Sequence, residues 1–90
     1  MSQTDSILIG RRPTMDYVLA ALTLLQGGEN EIFLKARGRT IPQAVDVAEI
    51  IRQRYMQNLK IKDVKIGTQQ LTSEGGTLSN VSSIEISVIK

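Results

Sequence analysis

The sequence predicts a single two-layer α/β sandwich of order βαβαββ, with a four-stranded mixed sheet and two helices. Three observations carry that expectation. A stretch with helical apolar spacing, Pro13 to Gln26, lies between two strand-like stretches, which implies a parallel pair joined by a right-handed crossover. A second helical stretch opens at Thr40. The chain then closes with two strand-like stretches on either side of Glu74-Gly75-Gly76, the pattern of a hairpin.

Taken in order, Ser6 to Gly10 holds Ile7, Leu8 and Ile9 in a row, as in a strand covered on both faces. Gly10 breaks the run, Arg11 and Arg12 follow, and Pro13 suits the first turn of a helix. In that helix Met15, Val18, Leu19, Leu22 and Leu25 recur at helical spacing, and Ala20, Ala21 and Leu24 widen the apolar surface until it is nearly all buried. Gly27-Gly28 ends it. Glu31 to Arg37 alternates, with Ile32, Leu34 and Ala36 on one face and Phe33, Lys35 and Arg37 on the other.

Thr40-Ile41-Pro42-Gln43 has the form of a capping box, in which Thr40 caps the second helix and Gln43 reaches back to its amide. Ile41, Ala44, Val45, Ala48, Ile51 and Tyr55 then make an apolar stripe, flanked by Val47 and Ile50, leaving Asp46, Glu49, Arg52 and Gln53 as a narrow polar face. Leu59 to Ser73 carries Ile61, Val64, Ile66 and Leu71 with a change of phase, which a bulge near Asp63 or Gly67 explains. Asn80 to Lys90 returns with Ile84, Ile86 and Val88 on one face. No repeat or linker divides residues 1–90, so one domain is expected.

Composition excludes much chemistry. The chain has 90 residues, 41% hydrophobic and 22% charged, an ordinary globular mix, and so short a domain gains by burying apolar surface against a second copy. Cysteine and histidine are both absent, which removes disulfides, thiolate or imidazole metal sites, and Ser-His-Asp or Cys-His nucleophiles. Lack of cysteine fits an intracellular protein. The N-terminus, MSQTDS, has no basic region, and no apolar run approaches the roughly 18 residues that span a membrane. A soluble, untargeted protein with no membrane partner is expected.

Net charge is only +2, so the distribution of charge matters more than its sum. Arg11, Arg12, Lys35, Arg37 and Arg39 supply five of the eleven cations, while Asp16, Glu29 and Glu31 are the only acids between Ile7 and Thr40. Strand alternation sets Lys35 and Arg37 about 6.6 Å apart on one face, and an extended chain carries the row on to Arg39. Such a row, about 13 Å long, compares with the roughly 12 Å width of a DNA major groove. Gly38 lets the backbone approach another surface closely. The parallel pair brings Arg11-Arg12 to the same end, and the helix start at Pro13 adds free amides that favour an anion. From placement alone, a phosphate-binding surface and a solvated rim at the strand ends explain these cations equally.

Rival chemistry is thinner. Tyr17, Phe33 and Tyr55 are too few for base-stacking recognition and suit a core or an interface. Asp46 and Glu49, at i and i+3, form a solvated helical face more readily than a metal site, since no histidine or second carboxylate pair supports them. A phosphate-ester hydrolase built on them is the remote enzymatic reading. Gly75-Gly76 is a hairpin turn before it is a phosphate loop, and Tyr55-Met56 fits core closure and exposed contact equally. No catalytic residue, metal or cofactor is expected.

The stretches ILIGRRPTMDYVLAALTLL, EIFLKARGRTIPQAVDVAEIIRQRY, and VKIGTQ with VSSIEISV closely resemble the archaeal Alba family of chromatin proteins, also called Sac10b. The likeness runs from Ile7 to Ile89, and its most specific part is G-(K/R)-(K/R)-P combined with KARGR. It implies the same βαβαββ sandwich, a homodimer or a heterodimer with a paralogue, and sequence-nonspecific binding of double-stranded DNA and of RNA at the nucleoid in the cytoplasm. By that resemblance the nucleic-acid contacts fall on Arg11, Arg12, Lys35, Arg37 and Arg39, with Gly38 among them, and contacts between dimers fall on Tyr55. An RNA-binding subunit of a ribonucleoprotein, such as a ribonuclease P type complex, is the alternative role.

Three departures from the family pattern weaken or re-anchor the expected binding. Arg11 stands where a lysine open to acetylation is common, so that regulation is closed at this position. The hairpin loop Glu74-Gly75-Gly76-Thr77-Leu78-Ser79-Asn80 has no cation where the family carries arginines. Gln43 replaces a lysine common in the first turn of the second helix.

Overall fold

The computed structural model describes residues 5–90; residues 1–4, most of the polar N-terminal segment noted above, lie outside it. β1 (Asp5–Leu8), α1 (Thr14–Gln26), β2 (Glu31–Arg37), α2 (Ile41–Ile50), β3 (Lys60–Thr72) and β4 (Leu78–Ile89) follow one another in the expected order. The strands form one mixed sheet, ordered β1-β2-β4-β3, in which β1 lies parallel to β2 and β4 runs antiparallel to both of its neighbours.

β2 decides where the core sits. Its alternation turns Ile32, Leu34 and Ala36 to one face, and the register sets Val88, Ile86 and Ile84 of β4 opposite them, with Ile7 of β1 beside Leu34. Both helices pack on that face. α1 contributes Val18, Ala21, Leu22 and Leu25, and α2 contributes Ala44, Val47 and Ala48, followed by Ile51. Each fully buried branched aliphatic side chain contributes about 1.5–3 kcal/mol relative to an exposed one, so these side chains hold the two layers together.

Three expectations about burial fail because only one face of the sheet is covered. Leu8, the middle of the run that suggested a strand covered on both faces, is 65% exposed. Alternation turns it away from the helices onto the open face. α1 is not nearly all buried: Met15, Leu19 and Ala20 face solvent, and Tyr17 takes a buried place instead. The stripe of α2 loses Val45 and Tyr55, and Val47 replaces Val45 among its buried members. The last turn, Ile51–Tyr55, is a π-helical turn closed by the Met56 N–H on the Ile51 carbonyl at 2.7 Å. A wider turn carries the residues after Ile51 out of phase with the stripe.

The bulge falls between Ile61 and Asp63, at the first of the two anticipated places, while Gly67 pairs regularly with Ser83. It keeps Ile61, Val64 and Ile66 on the helix-facing side, opposite Val88, Ile86 and Ile84. Yet α2 packs on β2 and β4 and leaves β3, an edge strand, bare: all three are exposed, Ile66 by 82%. Beyond Ser83, β4 pairs only with β3, so the distal hairpin projects past the rest of the sheet. Its tip is closed by the Ser73 N–H on the Thr77 carbonyl and the Gly76 N–H on the Ser73 carbonyl, each at 2.9 Å. No helix among the described residues is long and apolar enough to cross a membrane.

Candidate functional site

The parallel pairing of β1 and β2 delivers their C-terminal ends, and the basic residues that follow, to one end of the molecule. Leu8 lies beside Lys35, and the Ile9 N–H donates to the Lys35 carbonyl at 2.8 Å, so the Gly10-Arg11-Arg12 turn leaves the sheet next to Arg37. There Arg11, Arg37 and Arg39 surround a cleft of about 670 Å³, whose apolar lining includes Leu8, Ile9, Leu71 and Val81. The hairpin thus forms one wall, and Arg11 meets Arg37 and Arg39, 26 and 28 residues further along the chain, at the rim. All three arginines are exposed, as a site for a large polyanion requires.

The row along β2 is shorter than extended geometry suggested. Lys35 and Arg37 share the open face, but Gly38 has φ +56, the left-handed region that favours glycine, and Gly38–Thr40 forms a 3₁₀ turn. Arg39 therefore turns out of the row and reaches the cleft from the other side. The Arg37 Nη1 donates to Gln69 Oε1 at 3.2 Å, which aims the guanidinium toward the hairpin and leaves its other donors free. Lys35 sits opposite Glu85 in the register, with Lys65 on the far side of that acid, so its charge is partly offset on the open face.

The expected capping box does not form. Thr40 already has helical angles, φ −90 and ψ −3, so its side chain is not placed to fold over the first amides of α2. Its hydroxyl instead accepts from the Arg37 N–H at 3.2 Å and donates to the Arg37 carbonyl at 2.8 Å, closing the 3₁₀ turn on itself. Gln43 looks elsewhere: its Nε2 donates to the Arg12 carbonyl at 2.7 Å. From α1, the Tyr17 hydroxyl accepts from the Gly10 N–H at 2.9 Å and the Arg12 N–H at 3.1 Å. Pro13 is the extended residue before α1, and Asp16 in the first turn already supplies negative charge there, so the helix end offers an anion less than a bare one would.

Two carboxylates elsewhere in the fold have cationic partners. At the start of β2, Glu31 accepts from the Ser87 hydroxyl at 2.6 Å and pairs with Lys62 at 3.2 Å; the first contact, helped by the second, holds its pKa below the ordinary glutamate range. On α2, Glu49 pairs with Arg52 at 2.8 Å and Asp46 is exposed, so the pair weighed as a metal site is a solvated helical face. Among the described residues no group of three or more His, Cys, Asp or Glu side chains is placed to hold a metal. Tyr55 is 51% exposed in a shallow groove beside Arg54 and Gln57, whereas Met56 packs against the core. Of the two readings left open for Tyr55-Met56, Met56 takes core closure, while Tyr55 is exposed.

Fold and cleft together define a two-layer α/β domain with an arginine-rimmed end beside a projecting hairpin. The chain belongs to the Alba family, whose family model matches residues 5–68. DNA/RNA-binding protein Alba 1 of Archaeoglobus fulgidus is 51% identical over 86 residues, covering 96% of each chain. DNA/RNA-binding protein Alba of Thermoplasma acidophilum is 47% identical over 88 residues, covering 98% of each. Among solved structures, Alba from Thermoplasma volcanium superposes with a TM-score of 0.89 at 46% identity, covering 94% of this chain and 99% of that one.

Proposed function

We propose that this protein is a non-enzymatic, sequence-nonspecific binder of double-stranded DNA and of RNA, which packages the chromosome at the nucleoid and grips its target through phosphates. The observation that carries this is the convergence of Arg11 with Arg37 and Arg39 on one exposed cleft from two segments of the chain. Arginine forks match phosphate oxygens, and backbone contacts position a nucleic acid without reading its bases. Arg12 and Lys35 border the same end and extend the cationic surface. The relatives named as DNA/RNA-binding proteins support both target classes.

The binding unit is a dimer, with a second copy of the chain or a paralogue covering β3. Ile61, Val64 and Ile66 form an exposed apolar row on an edge strand, continuous with the buried core. Exposed Tyr55, at the end of α2 opposite the cleft, is the contact between neighbouring dimers on DNA, and Tyr55→Ala lowers the cooperativity of coating. A role as an RNA-binding subunit of a ribonucleoprotein is the second reading, favoured by the same phosphate-directed cleft, since duplex RNA is also read by shape and backbone.

Arg37→Ala combined with Arg39→Ala should weaken binding to a duplex DNA by about 10- to 100-fold at moderate salt, because two charge-assisted contacts are lost. Unchanged affinity rules the cleft out. Competition between matched DNA and RNA duplexes in the same titration separates the packaging role from the ribonucleoprotein role.

A further inference from the structure

We infer that Tyr17 and Gln43 are positioning residues of the nucleic-acid site, a two-sided clamp that holds the Gly10-Arg11-Arg12 turn and fixes Arg11 relative to Arg37 and Arg39. The inference rests on the phosphate-binding reading of the cleft. Three hydrogen bonds converge on these three residues, and each comes from a helix rather than from a neighbouring strand. The Tyr17 hydroxyl accepts from the Gly10 and Arg12 amides, at 2.9 and 3.1 Å, so Arg11 is held by anchored backbone on both sides. The Gln43 amide closes the clamp from the opposite side on the Arg12 carbonyl at 2.7 Å.

Gly10 permits the approach. A Cβ at that position would stand 3.2 Å from the Tyr17 oxygen, tighter than most such contacts, and would push the hydroxyl away from the amides. The Gln43 bond has a second consequence, because Gln43 lies in the first turn of α2, directly after the Arg37–Thr40 segment. One contact spanning 31 residues therefore ties the two arginine-bearing segments to each other. Neither Tyr17 nor Gln43 lines the cleft, so both act through the arginines and not on the phosphate itself. What they supply is preorganisation: a turn ordered before binding spares the complex the entropy of ordering it. This also gives Gln43 a use as glutamine, since a lysine there would offer its charge to the nucleic acid, whereas the neutral amide is engaged with the Arg12 backbone.

The test is a double-mutant cycle on the full-length protein, read by fluorescence anisotropy with a duplex DNA of fixed length at several salt concentrations. Tyr17→Phe keeps the ring and removes the acceptor; Gln43→Met keeps the length and removes the donor. Each should lower affinity about three- to tenfold and make the salt slope shallower by up to about 0.9, as one phosphate contact loosens. In a background of Arg11→Ala with Arg12→Ala the same substitutions should change affinity by less than about twofold, because the turn they hold no longer bears a cation. Full effects persisting in that background, or full affinity in both single variants while the arginine variant is weakened, overturn the clamp and leave the phosphate reading standing. If removing Arg11 and Arg12 changes nothing, the phosphate reading of this turn fails, and the clamp with it. Gln43→Met, at a half-buried surface position, guards against a folding defect in Tyr17→Phe, and thermal melts of both variants identify one.

Discussion

Glu31 and Ser87 show how single residues set the pH response of this domain. The Ser87 hydroxyl favours the charged carboxylate of Glu31, which lowers its pKa in the folded state relative to the unfolded chain. The sign follows from proton uptake: the unfolded state binds the proton first as pH falls, so this contribution is full above the ordinary glutamate range and is lost as pH drops through the lowered folded value. Ser87→Ala should raise the Glu31 pKa in a carboxyl NMR titration and shrink the stability difference between neutral and acidic urea melts. An unchanged Glu31 pKa would assign its shift to Lys62 alone. At this scale the sequence exposed the cations but not their supports. Arg11, Arg37 and Arg39 announce themselves by charge, whereas the partners Gln43 to Arg12 and Arg37 to Gln69 lie 31 and 32 residues apart and leave no local pattern. Tyr17 read as core or interface, and it is buried; its hydroxyl contacts follow only from how the turn folds back over α1.

At the scale of elements, apolar runs, periodicity and glycine and proline breaks together located the four strands and two α-helices, since alternation and helical spacing are imposed by the same sheet and helix geometry that the fold uses. Phase was less legible. The α1 stripe is rotated because a two-layer packing covers one side of a helix, and the bare Leu8 has the same cause. The π-helical turn after Ile50 also left no mark in composition, although it decides that Tyr55 faces outward. β3 carries the clearest consequence: its bulge keeps Ile61, Val64 and Ile66 on the helix-facing side, at the edge of the sheet where all three stay exposed. Ile66→Asp should halve the mass seen by sedimentation, from about twice the 9.9 kDa of one chain to one chain, with little change in the circular dichroism of the monomer. A variant that still sediments as the dimer would place the interface elsewhere.

The whole molecule combines a cleft rimmed by arginines, a hairpin that walls it, and an exposed apolar edge strand. The hairpin tip lacks cations, so Leu71 and Val81 shape the cleft while Arg11, Arg37 and Arg39 bear its charge. In the proposed dimer that set would double, and a nucleic acid held by its phosphates must shed a counterion for each one neutralised. The salt dependence of duplex DNA binding measures this directly. The slope of log affinity against log salt should be steeper than about −3, with each cleft arginine of the two copies contributing toward about −0.9 per phosphate contact. A slope near zero would contradict the account, for it would mean that binding does not run through phosphates at all.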